Sequence, residues 1–469
     1  MFLSGPRLWR SIGWALVIWA SVSPHGVHGA EAPLVAGTLP EDYLPELKAI
    51  LATARQRSPQ VIASEIEIAL SEARVYAADA PRLPKLAANL NFATSQTAVS
   101  GDNSTQNRDQ GFFYLVTLNQ AIFQWGALKN QSAIADINVQ IAQKNHAEAH
   151  RLLALNLRQQ YLALIARKLA ITQARNSLPQ AEAAQALERE QLSRGLVPRT
   201  QVEARELGLR EARLQVARVE EDFASDRRRF ARMAGLGDLP DSAIPMAIPK
   251  PADVAATATA VVATLSRDGG RSLFESEIIA LRTREADLRY EIAKVRLRPK
   301  IFASLGSSLD NATTATTNNV TQQAVTRQTA SLNAQWDIFD GLATRGAKKE
   351  ALTTRRQQEN RMASFTVETL ERANQLARQL AIDAEAMEID EIQQRMAGDG
   401  LRQLQQEFEL GRVARSAVTG AENRVSSSEA ASAGARAAYL SRWAELVSLA
   451  GLDPVLNNVA VSHHAPSSR

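Results

Sequence analysis

Apolar residues recur at every seventh position in one long stretch of the chain, and a second apolar row runs beside the first. The first row consists of Val202, Leu209, Val216, Phe223 and Phe230, and the second of Ala212, Val219 and Met233. A seven-residue period is typical of the seam of a left-handed coiled coil. The pattern therefore predicts one long helix that lies along a partner helix.

Glycine and proline mark the point where this helix begins. Residues 127–194 are also helical in composition, and Gly195 and Pro198 separate the two segments. Glycine commonly follows the last residue of a helix, and proline commonly opens the next one. We therefore expect a tight bend between two antiparallel helices at residues 195–200. Within the upstream helix, Pro179 predicts a kink or a break.

The same bend recurs later in the chain, because Gly411 takes the place of Gly195 at an offset of 411 − 195 = 216 residues. The residues that then follow at steps of seven are Val418, Val425, Ser432, Tyr439 and Leu446. The same offset relates Gly235-Leu236 to Gly451-Leu452, and Ile122-Phe123 to Ile338-Phe339. Landmarks in one shared register predict a chain built from two internal repeats of about two hundred residues.

Each repeat also contains two segments in which apolar residues alternate with small or polar ones. In the first repeat these are residues 86–93 and 112–119, with a polar loop at 101–110 between them. In the second repeat they are residues 301–309 and 329–339, with a Thr- and Asn-rich loop at 311–326. A two-residue period predicts strands with one apolar face. Such a strand pair can bury that face in a soluble sandwich or expose it to lipid.

The N-terminal residues predict a secretory signal peptide. Arg7 and Arg10 precede an apolar run at residues 12–22, and small residues follow near Gly29 and Ala30. A membrane-anchoring helix is the alternative, but the run is short for one.

These landmarks predict the organisation of the whole chain. The signal peptide is followed by the first repeat, a proline-rich linker, the second repeat and a disordered tail, at residues 1–30, 31–240, 241–254, 255–455 and 456–469. In the first repeat, Ser58 and Pro59 predict a break between two helices, with Ser58 as a cap. The corresponding helix of the second repeat is expected to run to about Leu297.

Composition narrows the class of protein. The chain is 45% hydrophobic but only 5% aromatic, which favours extended helices over a thick globular core. The net charge of +4 is small, and basic residues alternate with acidic ones, which argues against nucleic-acid binding. There are no cysteines, so disulfides and thiol chemistry are excluded. After the signal peptide no run of eighteen apolar residues occurs, so a membrane-crossing form of the chain must cross as a β-barrel.

The sequence offers little for catalysis or metal binding. His146 and His150 share a helix face, but their sequence is not the His-Glu-x-x-His pattern of zinc proteases, and a solvated face is expected instead. Three Asn-x-Ser/Thr sequences, at Asn103, Asn311 and Asn319, are interpreted as markers of exposed loops. Phosphate-binding glycine loops and serine nucleophile elbows are absent from the sequence. We predict no enzyme, no cofactor and no metal site.

The order of these elements resembles that of the TolC family of outer-membrane efflux proteins. The resemblance rests on Ile122-Phe123 and Phe339-Asp340-Gly341 at the strand-to-helix junctions, and on residues 195–202 as the periplasmic tip. It implies a mostly α chain that forms a homotrimer, with a twelve-stranded β-barrel, four strands per chain, in outer-membrane lipid. A long periplasmic α-helical barrel of coiled coils continues this β-barrel. The implied function is a passive duct for efflux of small molecules or type I secretion, with a periplasmic adaptor and an inner-membrane transporter as partners.

The two bends are the candidate functional sites. The expected adaptor-docking residues are Gly195, Leu196, Val197, Pro198, Thr200, Gly411, Arg412, Val413, Ala414 and Ser416. The expected aperture residues are Arg415, Ala417 and Gly420. The best-known family members carry acidic residues where this chain has Ala417, Gly420 and Gln201, so no acidic ring is expected and the arginines are expected to set the local field.

Two other functions remain as alternatives at this point. One is a secreted coiled-coil scaffold or adhesin without a barrel. The other is a hydrolase or metalloenzyme.

Overall fold

The computed structural model describes residues 37–99, 105–316 and 319–457. The predicted signal peptide, residues 101–104 of the first predicted loop, and residues 458–469 of the predicted tail lie outside this part of the chain. Within the described ranges, no helix combines the length and the apolar character needed to cross a membrane.

The first repeat contains five helices and two strands. They are α1 (Pro40–Tyr43), α2 (Pro45–Arg57), α3 (Pro59–Asp79), β1 (Lys85–Val99), β2 (Thr105–Phe123), α4 (Ala127–Ser193) and α5 (Arg199–Met233). The predicted break between α2 and α3 is confirmed. Ser58 occupies the N-cap position of α3, but its hydroxyl makes no capping bond, so that part of the prediction is wrong.

The second repeat follows the same order. Its elements are α6 (Ala255–Asp268), α7 (Phe274–Val295), β3 (Lys300–Thr316), β4 (Asn319–Gln335), α8 (Ala343–Glu409), α9 (Arg415–Leu449) and the short α10 (Pro454–Asn457). The single helix expected before β3 is divided into α6 and α7, because Gly269 and Gly270 both adopt positive φ angles between them. Helices α4 and α8 each have 67 residues, and α5 and α9 each have 35. The two long helices after the strands are therefore equal in length in the two repeats.

A kink or a break was expected at Pro179; helix α4 continues through this residue, so it is not broken there. Proline removes one backbone hydrogen bond, but two neighbouring helices hold α4 in the turn before Pro179. Arg175 pairs with Glu220 of α5 at 2.6 Å, and Asn176 donates a hydrogen bond to Ser426 of α9 at 3.2 Å. At 1.5 Å per residue, α4 and α8 are each about 100 Å long.

The strands form one antiparallel sheet in the order β1-β2-β3-β4. They are longer than the sequence pattern predicted, and the two expected loops at 101–110 and 311–326 are largely strand. Thr94 still pairs with Gln110, and Thr313 with Gln322, beyond the apolar segments. Backbone ladder bonds do not require apolar side chains, so the sheet continues into residues that a hydrophobic pattern assigns to loops. Asn311 and Asn319 consequently lie in strands.

Two apolar cores occupy corresponding places in the two repeats. The first lies between α2, α4 and α5 and includes Leu47, Leu157 and Phe230. The second lies between α6, α8 and α9 and includes Leu376 and Trp443. The heptad positions of α5 and α9 contribute Phe223, Phe230, Tyr439 and Leu446 to these cores, which confirms the seam predicted from their spacing.

A buried ion cluster joins both ends of the described chain to α4. The Arg158 side chain is 0% exposed and donates hydrogen bonds to Glu41 of α1 and to Asp453 just before α10. Its Nε lies 2.8 Å from a Glu41 oxygen, and one terminal nitrogen lies 3.0 Å from an Asp453 oxygen. One guanidinium group thus fixes the first and last helices on the same surface of α4.

Candidate functional site

The bend between α4 and α5 and the bend between α8 and α9 have the same backbone geometry. At the first, Leu196 N–H donates to Gln191 O at 2.9 Å, and Gly195 N–H donates to Leu192 O at 2.9 Å. At the second, Arg412 and Gly411 make the equivalent bonds at 2.8 and 2.9 Å. This pair of bonds is the Schellman motif, which satisfies carbonyl groups left free at a helix end. We call residues 195–200 and 411–416 the two tips.

Glycine is favoured at both tips because of the backbone conformation there. The φ angles are +71° at Gly195 and +72° at Gly411, in the left-handed region that disfavours other residues. A Cβ at either position would meet no atom of the described chain within 4 Å. Any close approach at the tips therefore involves another molecule.

Each tip combines one exposed apolar side chain with small neighbours. Leu196 is 70% exposed at the first tip, and Leu410 is 65% exposed beside the second. Val197 and Val413 are half-buried and cover the inner side of the bends. Pro198 and Ala414 occupy equivalent N-cap positions, with φ, ψ angles of −76°, 153° and −77°, 153°. The exposed residues Thr200 and Ser416 follow in the first turn of the returning helices.

Polar contacts close to the tips differ between the two hairpins. In the first, Gln201 donates a hydrogen bond to the buried Glu188 at 3.0 Å, and Arg205 lies 3.5 Å from the same carboxylate. In the second, the residues at the offset of 216 are Leu404, Ala417 and Ala421. In the first hairpin, polar contacts therefore join the two helices near the tip, whereas small and apolar side chains occupy the same positions in the second. The half-buried Gly420 follows Ala417 on the same helix.

The arginines at the first tip form ion pairs with glutamates, whereas those at the second tip do not pair with acidic residues of the described chain. Arg199 pairs with Glu203 at 3.0 Å, and Arg194 pairs with Glu190. Arg412 and Arg415 are both exposed, and neither forms an ion pair within the described residues. The Arg415 guanidinium instead lies over the Phe408 ring, 5.7 Å from its centre.

At the opposite end of α4 and α8, the sheet has one mostly apolar face and one mixed face that carries polar groups beside Phe113 and Leu115. Opposed residues share a face, and one row across the four strands reads Leu86, Leu118, Leu305 and Ala330. The large side chains of this face point into solvent around the single chain, as in Leu332, which is 72% exposed.

The other face carries hydrogen-bonded polar groups. The Ser304 and Ser331 hydroxyls lie 2.7 Å apart across β3 and β4, and Asn333 donates to Ser331 at 3.0 Å. The alternation predicted from sequence is confirmed by this arrangement of faces.

Two tryptophans anchor the junctions between the sheet and the long helices. The Trp125 indole N–H donates to Pro299 O at 2.7 Å, and the Trp336 indole N–H donates to Leu297 O at 3.0 Å. Both acceptors lie in the segment that leads into β3. Exposed tryptophans with satisfied indole N–H groups suit a boundary between an apolar and an aqueous phase. The sequence analysis did not identify this anchoring role.

An exposed apolar seam on α8 was missed by the sequence analysis. Ile382, Ile389 and Met396 are spaced by seven residues and are 66%, 49% and 69% exposed. On α5, Leu207 and Leu214 show the same spacing and are also exposed. A heptad spacing is the signal that could have identified both seams, because each lies on a face that the chain's own helices do not cover.

His146 and His150 do not lie on a solvated face as the sequence analysis expected. The His150 side chain is buried, and burial lowers its pKa to about 4. Burial also lowers the pKa of His146. Both imidazoles are therefore neutral at pH 7.

Comparison with known proteins gives one family and several solved structures. Residues 50–236 match the model of the family described as "Outer membrane efflux protein". No curated protein sequence matches the chain.

Three solved structures share the fold over most of the chain. The CmeC outer membrane channel of Campylobacter jejuni is 11% identical with a TM-score of 0.65, over 90% of this chain and 90% of that one. The outer membrane protein VceC of Vibrio cholerae is 13% identical with a TM-score of 0.60, over 88% and 98%. The MtrE outer membrane channel of Neisseria gonorrhoeae, solved in an open state, is 16% identical with a TM-score of 0.60, over 87% and 89%.

Proposed function

Because the chain belongs to the outer membrane efflux protein family and resides in the outer membrane, we propose that it is the outer-membrane duct of a tripartite export system. Three copies of the chain form the duct. It carries small molecules outward by efflux, or proteins by type I secretion, without a catalytic step of its own. A periplasmic adaptor and an inner-membrane transporter complete the system.

The observation that carries this proposal is the arrangement of the sheet and the long helices in one chain. The sheet presents an apolar face to its surroundings, and helices of about 100 Å lead from it to two exposed tips. Strands of 15 to 19 residues exceed the 9 to 11 that span a bilayer, so polar strand ends extend beyond the lipid. In a secreted scaffold without a barrel, this apolar sheet face would be exposed to water, which disfavours that alternative.

Strand pairing supports assembly into a closed barrel. Strands β1 and β4 are the two edges of the sheet, and each has one side without a partner in the described chain. Unpaired edges are not tolerated in lipid, and four strands are too few to close a barrel. In a trimer, β4 of one copy pairs antiparallel with β1 of the next, which gives a barrel of 3 × 4 = 12 strands.

The exposed helical seams support the same assembly. Leu214 is 15 residues from the start of α5, and Met396 is 13 residues from the end of α8. At 1.5 Å per residue these side chains lie at nearly equal heights above the tips, about 22 and 20 Å. A trimer places α5 of one copy beside α8 of the next and buries both seams.

The tips are the proposed contact with the adaptor. Both have a glycine with open space around it and an exposed leucine, Leu196 within the first tip and Leu410 directly before the second, against which a helical hairpin of another protein can pack. Two tips per chain and three chains give six hairpin ends at the periplasmic mouth, arranged with approximate sixfold symmetry.

Cysteine crosslinking tests the trimer, and the absence of native cysteines keeps the background clean. The double variant Leu214→Cys with Met396→Cys is expected to yield covalent dimers and trimers on oxidation. The matched control combines Met396→Cys with Arg213→Cys, an exposed position of α5 about 100° around the helix from Leu214, whose side chain pairs with Glu182 of α4. Absence of crosslinked species in the seam variant, or a detergent-purified monomer that conducts ions in a planar bilayer, would contradict the proposal.

A further inference from the structure

Two histidine rings meet on the side of α4 that faces α3. His146 and His150 are one helical turn apart, and their ring centres are 4.7 Å apart with an angle of 85° between the planes. Their Nε2 atoms lie 3.3 Å apart. His150 is only 7% exposed, so helix packing holds its ring in place.

Hydrogen bonding fixes the tautomer of His146. The Ser64 hydroxyl of α3 donates its hydrogen to Val61 O at 2.7 Å. Its oxygen, 2.8 Å from His146 Nδ1, therefore accepts the hydrogen carried by that nitrogen. The Nε2 atom of His146 keeps its lone pair and aims it at His150. A second hydrogen bond on Nδ1 that orients the ring and fixes its tautomer is the usual support of a metal-bound histidine.

The distance between the two Nε2 atoms matches a tetrahedral ion. Bonds of about 2.0–2.1 Å to zinc, with nitrogens 3.3 Å apart, give an N–Zn–N angle of about 104–111°. A square-planar ion with bonds of the same length needs nitrogens about 2.9 Å apart. The geometry therefore fits Zn²⁺ better than an ion that prefers a planar site.

We propose that His146 and His150 together bind one Zn²⁺ ion per chain through their Nε2 atoms, with water in the remaining positions. No cluster of three or more potential metal-ligating side chains occurs in the described residues, so the site has two protein ligands and exchanges its metal readily. When Zn²⁺ binds, the hydrogen shared between the Nε2 atoms moves to Nδ1 of His150, which is buried and has no partner.

The site links metal binding to the contact between α3 and α4. Ser64 belongs to α3 and holds a ligand on α4, so an ion that fixes the His146 ring also fixes this contact. Binding to the folded state alone raises the stability of that state.

Zinc titration of the detergent-purified full chain, isolated without a polyhistidine tag, tests the proposal. The background carries Gln in place of His463 and His464, and His25 and His28 lie in the predicted signal peptide, so that only the proposed site has imidazole ligands in the mature chain. We expect one Zn²⁺ per chain, a visible absorption spectrum typical of tetrahedral Co²⁺ on cobalt substitution, and a rise in the unfolding temperature with Zn²⁺.

Three variants distinguish the two proposed zinc ligands from the serine that orients one of them. His146→Gln and His150→Gln are each expected to remove binding at concentrations below about 1 mM. Ser64→Ala, which removes only the orienting bond, is expected to weaken binding about tenfold. Zinc binding that persists when both histidines are replaced, or a background protein that binds no Zn²⁺ below about 1 mM, would overturn the proposal. Trimer formation and export are measured alongside zinc binding and are expected to be intact in all three variants. A failure to bind zinc therefore does not contradict the proposed duct.

Discussion

Substitutions at Gly411 separate the backbone role of this residue from the role of its missing side chain. The φ of +72° is in the left-handed region, and a Cβ there would meet no atom of the described chain. An alanine in this region costs roughly 1–2 kcal/mol, and asparagine costs less. Native domains are stabilised by about 5–15 kcal/mol, so none of these changes is expected to unfold the protein. Loss of export in a folded variant would then report on contact with another molecule.

The assay compares Gly411→Asn, Gly411→Ala and Gly411→Trp in cells that lack the native protein. Trimer yield in the outer membrane and crosslinking to the adaptor are measured beside export of a fluorescent dye. We expect Asn to retain most export, Ala to lose part of it, and Trp to lower both export and adaptor crosslinking at least about tenfold, a change of 1.4 kcal/mol or more.

Gly269 provides the matched control for these variants. Its φ is +63°, and a Cβ there also meets nothing within 4 Å, but it lies between α6 and α7 rather than at a tip. Gly269→Trp should therefore export normally. The docking role of the tip is refuted if Gly411→Trp exports as well as this control does.

Two further predictions concern stability. Replacing Arg158 by Leu leaves the carboxylates of Glu41 and Asp453 buried without their partner, and should lower the free energy of unfolding in detergent by about 3–5 kcal/mol. Adding Glu41→Gln and Asp453→Asn to this variant should recover most of the loss. The hydrogen bond from the Thr344 hydroxyl is the largest cause that lowers the pKa of Asp340 below its ordinary value of 3.8. The stability that the lowered pKa contributes is therefore present above pH 3.8 and is lost as the pH falls through the lowered value. Asp340→Asn should remove this acid dependence, measured as the unfolding temperature between pH 5 and pH 2.

Local periodicity was enough to predict the returning helices α5 and α9, because the spacing of apolar residues shows which side of a helix is covered along its length. The seven-residue spacing of apolar residues from Val202 to Phe230 identified the buried side of α5, and the offset between Gly195 and Gly411 identified the two repeats. Strand ends were harder, because Thr94 and Thr313 lie in backbone ladders that continue beyond the apolar segments. A hydrophobic pattern carries no information about such residues.

The contacts that the sequence did not reveal join distant segments. Arg158 meets Glu41 and Asp453, which lie 117 and 295 residues away in the chain. His150 is buried because α3 covers one side of α4, and nothing near it in sequence predicts which side that is. The continuity of α4 at Pro179 likewise depends on contacts with other helices. Where several elements pack around one helix, its local sequence does not determine which residues they cover.

Charge at the second tip leads to a prediction about ion selectivity. Arg412 and Arg415 have no acidic partner in the described chain, so a trimer carries 3 × 2 = 6 such arginines near its mouth. Screening at 0.15 M salt limits a surface charge to about 8 Å, whereas at 0.01 M it acts over about 30 Å. The reversal potential in a gradient of dilute KCl should therefore indicate anion preference, and the preference should decline as salt is raised. Replacing both arginines by Gln should shift the potential toward cations, whereas Arg228→Gln, roughly 44 Å along α5 from the tip, should leave it unchanged. A duct that prefers cations at low salt, with the same reversal potential after both arginines are neutralised, would show that these charges point away from the conducting path.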